Sequence, residues 1–289
     1  MAPSAPRSVT SHPATGYLHR LRDFRRRFTG VEGLFWIKRV NHPIGAVIAM
    51  GLLGTGATPN MISVAGLVVH VVAAGVLFLS PVPASLAVAL FMVVAWQLAF
   101  SLDCADGQLA RARRKGSAFG AFFDQVIDVA THALVYTATT TYLVRALGLG
   151  ALDAALLVAA VFSLNFLQLY TTWGRNAIMG TEPAVQGTPP SWLGMTMRAK
   201  DLLDYGFYLF VAAVLLPWPV ALLWFLIGYS VVSLMATLAQ VGLNWYRFIH
   251  DSRRAEHASS PGADAQPGRG LAPDPRSVAG SGGASSDRT

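Results

Sequence analysis

Four aspartates are the most chemically loaded residues of this 289-residue sequence: Asp103, Asp106, Asp124 and Asp128. They stand at the ends of two neighbouring hydrophobic stretches, where an uncompensated ionised carboxylate costs about 2.5–3.5 kcal/mol. Asp103 and Asp106 have i, i+3 spacing, so both leave one face of a helix, and Asp124 and Asp128, at i, i+4, do the same on the next. The link through Gly116 is short, which folds the two helices into an antiparallel hairpin and lets all four carboxylates converge at one end. Hard oxygen ligands in such a cluster suit one or two divalent cations, Mg²⁺ or Mn²⁺. Two such ions about 3.5–4 Å apart clamp a phosphate during in-line displacement. No His/Cys set has zinc-like spacing. Cys104, the single cysteine, excludes a disulfide scaffold and is expected to face away from the Asp103/Asp106 side.

Small residues accompany the acids. Gly107 follows Asp106, Ala110 lies one turn further on, and Gly120 lies one turn before Asp124. Their lack of bulk lets a ligand approach the backbone, and Arg111 beside them suits a diphosphate that the metals also hold. Each piece has a plainer explanation: glycine and alanine pack membrane helices, and Arg113, Arg114 and Lys115 mark a cytoplasmic edge. The combination has no comparably simple structural explanation.

The elements that must position these residues are membrane helices. Hydrophobic residues make up 53% of the chain and charged residues 13%, half the usual share, with mean hydropathy +0.46. No Asp, Glu, Lys or Arg occurs from Asn41 to Leu102 or from Tyr205 to Tyr246. Runs of that length and polarity belong in lipid. The expected fold class is therefore an all-α integral membrane protein, six transmembrane helices preceded by an N-terminal amphipathic or juxtamembrane helix. The spans are expected at 61–79, 85–112, 117–146, 151–173, 201–216 and 219–244, separated by Pro81/Pro83, Gly116, Gly148/Gly150, the loop 174–199 and Pro217/Pro219. Residues 1–16 read as a disordered N-terminus, 17–56 as cytoplasmic or interfacial helices, 57–246 as the six-helix catalytic domain and 247–289 as a disordered cytoplasmic tail. Within 17–38, arginines alternate with Leu21, Phe24, Phe28 and Trp36, a mixture suited to a membrane-surface helix; an ordinary cytosolic helix is the alternative. Residues 41–56 form a short elbow ending at Thr58-Pro59-Asn60.

Charge fixes the expected orientation. With both termini inside, only Arg145 of the 22 Lys and Arg residues falls outside. No apolar core comes early enough for a cleaved leader, so the N-terminus and the acidic cluster are expected on the cytoplasmic side of a bacterial plasma membrane. Trp173, Trp218 and Trp245 fall at helix ends as interfacial anchors. The net charge of +7 follows from this placement, and without an interleaved aromatic surface it does not indicate nucleic acid.

The string Asp103-x2-Asp106-Gly107-x2-Ala110-Arg111-x8-Gly120-x3-Asp124-x3-Asp128 resembles, at every defined position, the signature of the CDP-alcohol phosphotransferase family. The resemblance extends to the order of elements over about residues 30–245. It implies a homodimeric membrane enzyme that moves a substituted phosphate from a CDP-linked donor, CDP-diacylglycerol or another CDP-alcohol, to a hydroxyl acceptor and releases CMP. By resemblance Asp103, Asp106, Asp124 and Asp128 form the metal set, with Asp128 also the general base, while Gly107, Ala110, Arg111 and Gly120 line the CDP pocket. Family members that use inositol phosphate carry Arg after the last aspartate, where this chain has Val129. Those that make phosphatidylglycerol phosphate carry Pro and Lys where it has Gln125 and Val129, which disfavours phosphorylated-sugar acceptors.

Around the acceptor the reading thins. His132, one turn beyond Asp128, is a candidate contact, with a histidine satisfied by a neighbouring helix as the alternative. Arg175, Arg198 and Lys200 are candidates for an acceptor phosphate, with loop charge as the alternative, and Asn165 and Gln168 are candidate polar lining, with interhelical hydrogen bonding as the alternative. Two other function classes compete: an intramembrane cation- or proton-coupled carrier using the aspartates, and a catalytically silent scaffold. A carrier is expected to spread acids over several helices near the midplane, often with internal symmetry, and this sequence has no internal repeat.

Overall fold

The computed structural model describes residues 16–29, 35–114, 116–179 and 204–259, and every regular element among them is a helix. In chain order they are α1 (Tyr17–Phe28), a π-helical turn (Ile37–Asn41), α2 (His42–Leu52), α3 (Pro59–Leu79), α4 (Leu86–Arg113), α5 (Ala118–Leu147), α6 (Ala151–Met179), α7 (Tyr205–Leu215) and α8 (Pro219–Ser259).

Local chemistry explains the boundaries. Thr58, Ser85, Ser117 and Asp204 each precede a helix and accept a hydrogen bond from the backbone N–H of Met61, Val88, Gly120 and Gly206 respectively. These caps satisfy donors that the first turn leaves free. Pro59 then sits at the first position of α3, where a missing N–H costs nothing. At the far ends, α4 stops at Arg114 and α5 at Gly148, both in the left-handed conformation (φ 52° and 61°).

Four helices are long and apolar enough to cross a membrane: α3, α4, α5 and the Pro219–Ala239 part of α8. The apolar stretches Ala151–Leu167 of α6 and Tyr205–Leu215 of α7 are shorter. At 1.5 Å per residue α7 reaches about 16 Å, roughly half the hydrocarbon thickness. It is bounded by the Asp204 cap and by Pro217, and residues 201–203 of the expected fifth span lie outside the described residues. Large apolar side chains lie exposed along the spans, among them Val68, Leu90, Val94, Trp224 and Met235. Lipid tails cover such a surface without penalty.

The main core is large and partly aromatic. Leu77 of α3, Met92 and Trp96 of α4, Tyr142 and Leu143 of α5, Tyr208 and Leu209 of α7 and Leu222 of α8 are fully buried together. Its far end is tied by Tyr142, whose hydroxyl donates to the Leu216 carbonyl (2.5 Å) and accepts from the Ala84 N–H (2.8 Å). Arg145 is held there by the Phe78 and Ser80 carbonyls. A second, smaller core gathers Phe24 of α1, Ala46 and Ala49 of α2, Ile62 of α3 and Ala105 and Leu109 of α4.

The compact unit ends at Val241, and the second unit, from Gly242, contains the remainder of α8. That helix continues past Tyr246 to Ser259, into the stretch expected to be tail, because residues 247–259 contain neither Gly nor Pro.

Candidate active site

The acids of α4 and α5 meet beside α3, which packs against both helices. One ligand oxygen from each of Asp103, Asp106 and Asp124 lies within 4.8 Å of the others. Asp128 joins from one turn deeper: its carboxyl is within hydrogen-bonding reach of Asp103, as that of Asp124 is of Asp106. The capped start of α3 supplies a further contact, with Ser63 donating to Asp106 at 2.5 Å. Among the described residues no Lys or Arg is ion-paired with any of the four. Asp124 Oδ1 is buried with no hydrogen-bond partner. Carboxyls crowded in this way, one oxygen orphaned, fit a divalent cation, whose charge replaces the missing partners.

Above the acids opens a cleft of about 660 Å³, lined on one side by Asp106, Gly107, Ala110 and Arg111 and on the other by Gly120 and Asp124. The residues expected to surround a nucleotide diphosphate are therefore on one wall system with two of the metal candidates. Arg111 donates from Nε to the Phe28 carbonyl (2.7 Å), and its terminal nitrogens lie over Gly107, where an added Cβ would come within 3.3 Å of one. This anchors the guanidinium to α1 with its fork over the cleft floor. Burial holds the His42 imidazole, at the start of α2, below its ordinary range, and Arg111, Lys38 and Arg25 push the same way.

Several other residues singled out in the sequence have defined partners in the structure. Arg113, expected to mark a membrane edge, has its guanidinium on the carbonyls of Leu52, Leu53, Thr55 and Ala57, closing the C-terminal end of α2. Asn165 bonds Ser230 and Ser233 of α8, the interhelical hydrogen bonding given as its alternative reading. Cys104 packs against Gly45 of α2. His132 stacks on Tyr205 (centroids 3.7 Å apart), and its Nδ1 faces the Asp128 carbonyl at 2.8 Å. Arg198 and Lys200 lie outside the described residues, as do the side chains of Arg175 and Gln168.

Ser63, His70 and Tyr205 near the acids were not found from sequence. The signal for Ser63 is its place one turn inside the Thr-Pro-Asn break. His70 carries no comparable mark.

The family model for CDP-alcohol phosphatidyltransferase matches residues 56–244, nearly the whole of α3 to α8. The chain belongs to that family. No individual curated protein matches it. Members of the CDP-alcohol phosphatidyltransferase family are transferases of substituted phosphate groups that use divalent metals, a CDP-alcohol and a hydroxyl acceptor. The chain is accordingly a membrane phosphotransferase with a role in phospholipid synthesis, and the carrier reading finds no support.

Proposed function

We propose that this protein transfers a phosphatidyl or similar substituted phosphate from a CDP-linked donor to a hydroxyl acceptor and releases CMP. The observation that carries this reading is the convergence of Asp103, Asp106 and Asp124 beside a cleft walled by Gly107, Ala110, Arg111 and Gly120. In it, Asp103, Asp106 and Asp124 hold Mg²⁺ or Mn²⁺, with Asp128 near enough to complete the set. Bound divalent ions supply neutralisation of the donor diphosphate and of charge growing on the leaving CMP. Gly107, Ala110 and Gly120 admit the donor close to the backbone, and the Arg111 fork pairs with phosphate oxygens.

Asp128 accepts the proton of the acceptor hydroxyl. The acceptor oxygen bonds to the phosphorus that carries the alcohol, the bond from that phosphorus to the bridging oxygen breaks, and CMP leaves with that oxygen. A hydroxyl is a weak nucleophile at neutral pH, which is why a positioned carboxylate matters. Six spans, with α6 and α7 as the fourth and fifth, put this end of the hairpin and both termini on the cytoplasmic side, and a homodimer follows the family pattern. Val129 and Gln125 leave phosphorylated sugars the weaker acceptors.

The test is CMP release by the purified protein in nanodiscs, with CDP-diacylglycerol and other CDP-alcohols, with and without Mg²⁺ or Mn²⁺, across a panel of hydroxyl acceptors. Metal-dependent release requiring one donor and one acceptor is expected. Silence across the panel, with no donor binding either, overturns the reading.

A further inference from the structure

Beside Asp103 and Asp128 lies a second, small cavity of about 10 Å³, the room one water molecule occupies. Asp103 and Asp128 form its acidic wall, and His70, Thr131, His132 and Tyr205 are among the residues that complete it. His70 comes from the middle of α3, is only 3% exposed, and belongs to neither the metal set nor the nucleotide cleft.

Its hydrogen bonding leaves a definite gap. Nδ1 lies 3.1 Å from the Gly66 carbonyl on its own helix. A carbonyl only accepts, so in the neutral ring Nδ1 carries the hydrogen and Nε2, at the far edge, is left as an acceptor. Nε2 is buried with no partner. The Tyr205 hydroxyl, from another wall of the same cavity, is also buried without one. An acceptor, a hydroxyl donor and a pair of carboxyls around a one-water space form the environment that retains ordered water, and orphaned buried polar atoms ordinarily mark such a molecule.

We propose that the cavity holds one structural water that donates to His70 Nε2 and to the Asp128 carboxylate, making His70 a positioning residue for the base. The water's oxygen accepts from the Tyr205 hydroxyl. One Asp128 oxygen is thereby fixed on the inner side, and the other is presented to the acceptor hydroxyl. His132, in the wall of the same cavity, adds to the mount: its Nδ1 faces the Asp128 carbonyl, as does the Thr131 hydroxyl at 2.9 Å, and Tyr205 stacks on its ring. The role of His70 rests on the assignment of Asp128 as base, whereas the water site rests on the cavity alone.

Two measurements test this separately. An experimental structure of the wild-type protein at about 2 Å or better is expected to show one density peak within hydrogen-bonding distance of His70 Nε2 and Asp128; a dry cavity overturns the proposal. His70→Phe removes the acceptor and fills the space, while His70→Gln restores an amide acceptor. The Phe variant is expected to lose about tenfold or more in kcat for CMP release and to shift the acidic limb of the kcat–pH profile. Its KM for the CDP donor and its Mn²⁺ affinity should stay within about twofold, and the Gln variant should recover most of the rate. A Phe variant with wild-type kcat and pH profile overturns the positioning role, and so does equal loss in both variants tracking their melting temperatures, which is what mere packing predicts. If the wild-type protein releases no CMP at all, the proposed reaction falls and His70's role with it, while the density still decides the water site.

Discussion

The two ends of the helical unit are built from different residues. At the acidic end, α2, α3 and α4 meet through Gly45, Gly66, Ala46, Ala49 and Ala105, and a methyl added at Gly45 would sit 3.0 Å from the Ser101 carbonyl oxygen. At the other end, contact is made by Leu77, Met92, Tyr142, Leu143 and Leu216, all fully buried. Lipid tails are as apolar as leucine, so neither end is driven together by the hydrophobic effect; close packing and hydrogen bonds must hold both. Large interlocking side chains do this where nothing else is required. Small ones do it where α2 and α3 approach the backbone of α4, the helix that carries Asp103 and Asp106. The end that carries the chemistry is therefore the end with less bulk holding it.

If that division is right, single substitutions at the two ends fail in different ways. The largest effect belongs to the acidic end. Asp128→Asn is expected to cut CMP release by about 10²–10⁴-fold with donor binding largely intact, since a general base contributes on that scale. Asp103→Asn should instead weaken Mn²⁺ and donor binding together. Neither should lower the melting temperature much, because each removes one of several mutually repelling carboxylates. Unchanged turnover in Asp128→Asn would take that residue out of the role of base.

At the bulky end the pattern reverses. Leu209→Ala opens a hole among Trp96, Tyr208 and neighbouring side chains of the main core and is expected to cost about 2–4 kcal/mol. CMP release per folded molecule should stay near wild type. A Leu209→Ala protein that melts normally but turns over slowly would erase the distinction between the two ends.

Between them lies a polar junction whose effect should be mixed and somewhat smaller. Trp36 Nε1 and Asn41 Nδ2 both donate to Gln97 Oε1 (3.0 and 3.1 Å), and Gln97 Nε2 donates to the Gly206 carbonyl (2.8 Å). Asp204 accepts from the Ile37 and Gly206 N–H groups (2.9 and 3.0 Å). A Cβ on Gly206 would lie 2.6 Å from Asn41 Oδ1 and 2.9 Å from the Trp36 ring. Gly206→Ala is therefore expected to cost about 1–3 kcal/mol and, by moving Tyr205 off His132, to lower turnover as well. Thermal melting and kcat measured on the same preparation check both halves; a loss in only one assigns the junction to that end alone.

That junction also marks the limit of what the sequence discloses. The acidic hairpin was legible because its signal is local: four aspartates, their helical spacing, a short glycine link and a capping serine lie within one stretch. The bounds expected for α3, α4 and α5 agree with the helices within two residues for the same reason, since Pro59, Ser85 and Ser117 begin them. Residues such as Gln97, Asn41 and Asp204 have no such mark. Their partners lie 56 to 167 positions away, and a lone polar residue in an apolar run is compatible with many helix rotations. His70 was silent for that reason. The carbonyl partners of Arg113 were silent as well, because the sequence does not show which helix end lies near it.

The smallest effect sharpens the comparison from inside the acidic end. Arg111 has two tasks: Nε holds the Phe28 carbonyl of α1, and the remaining fork lies over Gly107 on the cleft floor. Lysine keeps the charge but offers a single ammonium, which cannot reach α1 and a diphosphate at once. Arg111→Lys is expected to raise KM for the CDP donor about tenfold, the worth of one charge-assisted hydrogen bond, with kcat within a few-fold of wild type. Since the lost contact is made to the donor rather than to the base, the acidic limb of the kcat–pH profile should stay where it is. A tenfold fall in kcat at unchanged KM would mean that Arg111 acts on the leaving CMP chiefly in the transition state, and the division of labour drawn between it and the aspartates would have to be redrawn.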